Sequence, residues 1–248
     1  MVIMSQLFGE VADDYHEARP GYPVELVAAI RGYHGDPPAT LVEVGAGTGL
    51  ATRTLLDLGA RTTCVEPDRR MAAVLASRFP EVEVVVAAFE EWTPPPGGVA
   101  ALACAMAWHW LDPATRNRRA YDALTPGGTL AVFGHRYDYV DPAHAAGLRA
   151  AFESVDPRPT VDRPDGWVHD DVLGSGLFTD VRSRLFRRAV PLDTAAYLRL
   201  VATFSPQLKR PPELRERVRD ALRATIDGFG GGVVLDLRTT LVLARHPA

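Results

Sequence analysis

Thr40-Leu41-Val42-Glu43-Val44-Gly45-Ala46-Gly47-Thr48-Gly49-Leu50-Ala51-Thr52 is the stretch whose reading decides the fold. Leu41, Val42 and Val44 form a short apolar run of the kind that makes a buried parallel strand. Three alternating glycines follow, and Leu50 to Leu58 then reads as a helix starting at Thr48 or Gly49. Strand, glycine-rich turn and helix, in that order, is how a doubly wound α/β sheet receives a nucleotide. Glycine reaches positive φ without a steric penalty and lets a ligand lie directly on the backbone. The dinucleotide fingerprint is G-x-G-x-x-G; here the third glycine comes one residue early and Leu50 stands in its place. Glu43 precedes the first glycine by two residues, at the carboxyl end of the strand. A carboxylate there suits a cationic ligand and would repel a pyrophosphate.

The 248 residues fit one large domain, or one domain with a lid built from insertions. Hydrophobic residues at 47% can fill a core, and a net charge of -4 provides no positive field toward nucleic acid or anionic membrane. Cys64 and Cys104 both fall inside predicted buried strands, where they read as small hydrophobes, neither a disulfide framework nor a metal pair. No histidines or cysteines fall at ligand spacing, so no metal is expected. Neither a signal peptide nor a membrane-spanning run is apparent, and the expectation is a cytoplasmic protein.

Outward from the glycine turn the pattern repeats. Arg61 to Glu66 predicts strand two, and Glu66 lies where an acid at a strand end accepts both hydroxyls of a ribose. That contact fits any adenosine ligand and does not choose among nucleotide cofactors. Asp68 to Arg78 is the next helix, capped by Asp68, with Met71 either an adenine wall or core filler. Val82 to Ala87 and Val99 to Met106 predict strands three and four. Strand four runs into Ala107-Trp108-His109-Trp110, a pocket wall, because ligands sit outside the carboxyl ends of such strands. A helix from Pro113 to about Leu124 ends at Thr125-Pro126-Gly127-Gly128, and strand five, Thr129 to Gly134, opens onto His135-Arg136-Tyr137-Asp138. Two leader helices, residues 5–17 and about Val24 to Tyr33, flank the breaker Arg19-Pro20-Gly21-Tyr22-Pro23.

The later chain is less regular. Residues 139–176, with a helix at Pro142 to Phe152, are too long for a plain crossover and read as a lid. Phe178 to Val190 is strand six, its Arg182, Arg184, Arg187 and Arg188 a solvated basic edge. Two helices, Asp193 to Ala202 and Pro212 to Phe229, precede the final strand, Val233 to Ala244.

Glu43-x-Gly45-x-Gly47-x-Gly49, with Glu66, the His109-Trp110 pair and Leu124-x-Pro126-Gly127-Gly128, resembles the class I S-adenosylmethionine-dependent methyltransferases. Phe8-Gly9-x-Val11-Ala12-x-x-Tyr15-x-x-x-Arg19-Pro20-x-Tyr22-Pro23 looks like the opening of a small-molecule (type-11-like) subgroup. The resemblance implies a Rossmann-like, doubly wound, seven-stranded, mostly parallel sheet with an antiparallel last strand at its edge and a lid of inserted helices. It implies a single domain over 1–248: N-terminal cap helices at 1–36, cofactor core at 37–135, lid at 136–231 and closing strand at 232–248. S-adenosyl-L-methionine is the implied cofactor. Its implied contacts are Tyr15, Arg19, Glu43, Gly45, Ala46, Gly47, Thr48, Gly49, Glu66, Pro67, Met71, Ala88, Phe89, Glu90, Ala105 and Met106. Glu43, Tyr15 and Arg19 fall at the methionine end and Ala88 to Glu90 at the adenine. Ala88 departs from the aspartate of many relatives, and Tyr15 and Arg19 also read as anchors of the leader.

The implied partner is a small-molecule methyl acceptor against His109, Trp110, His135 and Tyr137, with no nucleic acid or membrane, in a monomer or homodimer. His109 is the candidate base, although a histidine hydrogen-bonded within the rim satisfies the same pattern. Two other functions fit such a sheet: a nicotinamide-dependent oxidoreductase and a protein that binds the cofactor without turnover. The first lacks the glycine spacing and a Tyr-x-x-x-Lys pair, Lys209 being the single lysine. Nothing in residues 136–231 names the acceptor.

Overall fold

The computed structural model describes residue 9 and residues 12–157 and 163–248. Leu7, Phe8 and Val11 of the predicted leader helix lie outside the described residues. Seven strands form one sheet in the order β3-β2-β1-β4-β5-β7-β6. They are β1 (Thr40–Val44), β2 (Arg61–Val65), β3 (Glu83–Val85), β4 (Val99–Ala105), β5 (Leu124–Tyr139), β6 (Thr179–Asp193) and β7 (Gly232–Arg245). β1 to β5 pair in parallel, whereas β7 runs antiparallel to both of its neighbours, β5 and β6. The chain is thus the expected α/β doubly wound fold with a mostly parallel core and an antiparallel last strand. One detail departs from expectation: β7 is internal, inserted between β5 and β6, and β6 is the edge. Arg182, Arg184 and Arg187 are exposed on this edge strand, and Arg182 and Arg187 pair with Asp180 at 2.7 Å and Asp236 at 2.6 Å.

Burial on both faces explains the continuous apolar character of the central strands. Val42 and Val44 of β1 pack with Leu102, Cys104, Val132 and Trp108. Leu41 packs on the opposite face with Ala101, Ala103, Ile30 and Leu55. Cys64 and Cys104 are buried and unpaired. β3 is shorter than predicted, because it pairs only with β2 and its flank is exposed at Val86.

The helix after the glycine turn starts late. Gly49 holds φ +91°, so the first helical residues are Thr52–Leu55, followed by a 3-10 turn at Leu56–Leu58. Asp68 caps Arg69–Arg78 as predicted, accepting from the backbone N–H of Arg70 and Met71. Asp112 instead organises the turn ahead of its helix, taking Ala114 N–H and the Thr115 hydroxyl, and that helix runs Arg116–Ala123.

β5 outlasts its prediction by five residues, since His135 to Tyr139 pair with Thr239 to Leu235 of β7. β4 ends opposite Phe133, so the β5–β7 pair overhangs the carboxyl edge of the sheet. Helices Pro142–Val155, Thr194–Ala202 and Pro212–Gly228 pack on this overhang through Leu148, Tyr197, Leu200, Val218, Leu222 and Leu235. A further helix at Trp167–Gly174, not predicted from the sequence, sits against the core through Val172. The overhang and these helices give the carboxyl edge a roof.

Candidate active site

The glycine turn is fastened to its neighbouring strand. Gly45 and Ala46 donate to the Val65 carbonyl at 2.8 and 3.3 Å. Gly47 N–H donates to Glu66 Oε2 at 2.8 Å, and Asp68 N–H to Glu66 Oε1 at 2.9 Å. Each Glu66 oxygen therefore has one backbone donor and a remaining lone pair, and the carboxylate is aimed by both motifs at once. Burial raises its pKa. Gly49, grouped with the ligand glycines above, has a packing role: a Cβ there would lie 2.4 Å from Phe79 Cε2. It lines none of the three cavities at this edge.

Glu43 is fully buried at the end of β1. Its Oε2 accepts from the Thr52 hydroxyl at 2.6 Å, while Oε1 has no hydrogen-bond partner. Burial pushes its pKa up to about 8. A buried carboxylate with an empty acceptor is a site for a cation, since leaving a buried polar atom unpaired costs about 1–3 kcal/mol. It borders a narrow cavity shared with Tyr15, Arg19, Tyr22, Gly47 and Tyr137. Burial raises the pKa of Tyr137 to about 12, beside the Arg19 guanidinium.

A larger cavity, about 180 Å³, opens beside it and is lined by Gly45, Gly47, Glu66, Pro67, Met71 and Phe89. Ala105, Met106, His109 and Trp110 close its far side, and Tyr15 and Arg19 cover it from the leader helix, Ala12–Ala18. Ala46 and Thr48 line the narrow cavity beside Glu43. The leader is held from both sides. His16 Nδ1 lies 3.1 Å from both Thr48 oxygens, Oγ1 and the carbonyl, and Arg19 donates to Thr203 Oγ1 at 3.1 Å and its carbonyl at 3.0 Å. The Arg19 guanidinium also lies 4.4 Å from the Tyr15 ring centre. Ala88 and Glu90 line none of these three cavities: the Ala88 carbonyl closes a turn to Glu91 and Trp92, and Glu90 Oε1 accepts from Asp112 N–H. Of the adenine-end trio, Phe89 alone faces the cavity.

The histidines separate. His109 lines the 180 Å³ cavity and a second one beyond it, and burial with the charges of Arg163, Arg116 and Arg19 holds its pKa at about 4. The imidazole is therefore neutral at physiological pH. His135 also borders the second cavity but has both ring nitrogens engaged, with Thr239 Oγ1 at 2.9 Å and the Pro20 carbonyl at 3.2 Å. Its ring stacks on Tyr22 at 4.3 Å, so it clamps the leader to the β5–β7 overhang. No cluster of three or more histidine, cysteine, aspartate or glutamate side chains suited to a metal occurs among the described residues.

The profile of the methyltransferase domain family matches residues 41–128, from β1 through the glycine turn, Glu66 and the Trp-His-Trp wall. These residues carry a methyltransferase domain of the class I, S-adenosylmethionine-dependent kind. An uncharacterised methyltransferase of Mycobacterium tuberculosis is 28% identical over 222 residues, 89% of this chain and 85% of the relative. The methyltransferase also shares its fold with a protein assigned as a type II methyltransferase from Anaeromyxobacter dehalogenans. That likeness has a TM-score of 0.68 at 20% identity and covers 93% of this chain and 99% of the other. Haemonchus contortus phosphoethanolamine N-methyltransferase 2, solved with S-adenosyl-L-methionine, aligns with a TM-score of 0.57 at 14% identity, over 97% of this chain and 57% of that one.

Several lining residues of the methyltransferase escaped sequence reasoning. Leu111 follows the Trp-His-Trp cluster and was within reach of the strand-end argument. Ser205 was not: the Arg19–Thr203 contacts bring its short helix, Ser205–Leu208, to the cavity from a segment without a motif. Trp167 and Arg163 of the second cavity likewise come from the irregular stretch.

Proposed function

We propose that this methyltransferase acts on a small-molecule acceptor, with the donor in the cavity over the glycine turn and the acceptor in the second cavity beyond Met106 and His109. The observation that carries this reading is the join: Met106 and His109 line both cavities, and the second has only about 270 Å³. A chamber of that size, walled on one side by the start of the Trp167–Gly174 helix, fits a metabolite.

In this reading Glu43 Oε1 receives the donor's ammonium, Glu66 holds the ribose hydroxyls with its spare lone pairs, and Met71 and Phe89 flank the adenine. Gly47, Ala46 and Thr48 present backbone to the donor, Pro67 and Ala105 shape the walls, and Tyr15 and Arg19 cover the methionine end. S-adenosylmethionine would supply a sulfonium-bound methyl group open to attack by a nucleophile, with S-adenosylhomocysteine as the leaving group. The protein's part is alignment and exclusion of water, and orientation can supply roughly 7–11 kcal/mol of barrier reduction. His109, neutral above about pH 4, accepts a hydrogen bond from the acceptor's nucleophilic group and takes its proton as that group attacks the methyl. The helices of 136–231 serve as the lid.

Incubation with methyl-labelled S-adenosylmethionine and fractionated cell extract tests the acceptor class. Label entering the small-molecule fraction supports the reading; label confined to RNA or protein overturns it. With the acceptor in hand, His109→Ala lowers kcat by about a hundredfold, the lower end for a positioned proton acceptor, and changes S-adenosylhomocysteine affinity far less. Because His109 protonates only near pH 4, the kcat profile carries no histidine limb between about pH 5 and 8.

A further inference from the structure

The second cavity has a charge pattern of its own. Its walls are apolar: Trp108, Val132, Phe133, Trp167, Val168 and Val242. Two guanidiniums reach it, and they differ. Arg136, at the start of the β5 overhang, pairs with Asp165 at 3.0 Å and donates to the Arg163 carbonyl. It fixes the turn that carries Arg163. Arg163 itself rests its guanidinium 5.3 Å from the Trp167 ring centre and has no carboxylate partner among the described residues. Asp165, the acid in the lining, is taken by Arg136. The other cations whose charge reaches His109, Arg116 and Arg19, are committed to Asp171 and to Thr203. Among the described residues, the Arg163 guanidinium thus overlooks an apolar chamber beside His109 with no carboxylate against it.

We propose that the acceptor is a small apolar carboxylate, its carboxylate held by Arg163 and its body by Trp108, Phe133 and Val242. The inference rests on the acceptor assignment above and deepens it. A planar guanidinium takes a carboxylate in a two-pronged, charge-assisted geometry, which a neutral ester or amide cannot reproduce. A single free guanidinium matches a monoanion better than a doubly charged phosphate. Arg163 is exposed at the rim, so removing its charge leaves the core untouched. It also lies outside the donor cavity, which makes it a specificity residue.

The test uses the full chain saturated with S-adenosylhomocysteine and calorimetric titration of hydroxybenzoates, hydroxycinnamates, their methyl esters, the parent phenols and phenyl phosphate. At least one acid should bind about tenfold or more tighter than its ester, the size of a charge-assisted hydrogen bond. Arg163→Met should bring acid and ester within about threefold of one another and leave S-adenosylhomocysteine affinity unchanged. Esters or phenols binding as well as the acids, a preference that survives Arg163→Met, tighter binding of phenyl phosphate, or no acid binding at all would each overturn the proposal. Failure of S-adenosylhomocysteine itself to bind would instead overturn the donor-site reading.

Discussion

Gly47→Val lowers the affinity for S-adenosylhomocysteine by at least about a hundredfold, or roughly 2.7 kcal/mol. Three effects add. Gly47 sits at φ +59°, a left-handed conformation that costs a side-chain-bearing residue about 1–2 kcal/mol and a β-branched one more. A Cβ there already lies 3.4 Å from Met71 Cε, and the valine methyls would enter the donor cavity that Gly47 lines. Relaxing the strain turns the Gly47 N–H away from Glu66 Oε2, which loosens the carboxylate assigned to the ribose. Gly47→Ala, without the methyl branches, should lose less. Calorimetry on both variants, with thermal unfolding to confirm a folded protein, reads the ordering; equal affinity in wild type and Gly47→Val would remove this turn from the donor site.

Binding of S-adenosylhomocysteine at pH 7 releases about one proton, and Glu43→Gln abolishes the release. The pKa of Glu43 stands at about 8 in the free protein, so the carboxyl is mostly protonated at pH 7. An ammonium against Oε1 favours the carboxylate and drives the proton into solution. The sign follows: the release is present between the lowered pKa of the bound state and about pH 8, and fades above pH 8, where the free protein is already ionised. Titrations in two buffers of different ionisation enthalpy measure it. Glu43→Gln keeps the shape and the Thr52 contact but removes the charge, and should weaken binding about tenfold to a hundredfold, since truncating one partner of a buried charge pair costs about 2–5 kcal/mol less its desolvation. Unchanged affinity would place the ammonium elsewhere. The same burial bears on stability. The folded-state pKa of Glu43 exceeds its unfolded value, so its contribution is fully present below about pH 4.5 and is lost as pH rises toward 8.

What the sequence disclosed were features with local causes. The Leu41–Val44 run, the early third glycine and Asp68 at a helix start are each decided by neighbours a few residues away, and the structure has β1, the positive-φ turn and the cap where they point. Glu66 was legible because its register to Gly49 is a property of a strand–turn–helix–strand unit, and the structure joins it to Gly47. Spacing alone did not show what each glycine is for: Gly49 answers to Phe79 and Leu75, a contact made by the following helix. Nor could it place β7, because a strand between two antiparallel partners reads the same as one at an edge. His135 looked like a rim residue facing substrate; its two ring contacts are to Pro20 and Thr239, residues more than a hundred positions away. Arg163, Trp167 and Ser205 reach their cavities from stretches without periodicity, carried there by the β5–β7 overhang and the helices packed on it.

The donor site is the centre of the account, and one calorimetric titration tests it most directly: S-adenosylhomocysteine and NAD, each against the full chain at pH 7. The geometry of Glu43, Gly47 and Glu66 predicts a single S-adenosylhomocysteine site, with proton release from Glu43 and no measurable NAD binding. NAD binding with no S-adenosylhomocysteine binding would contradict it.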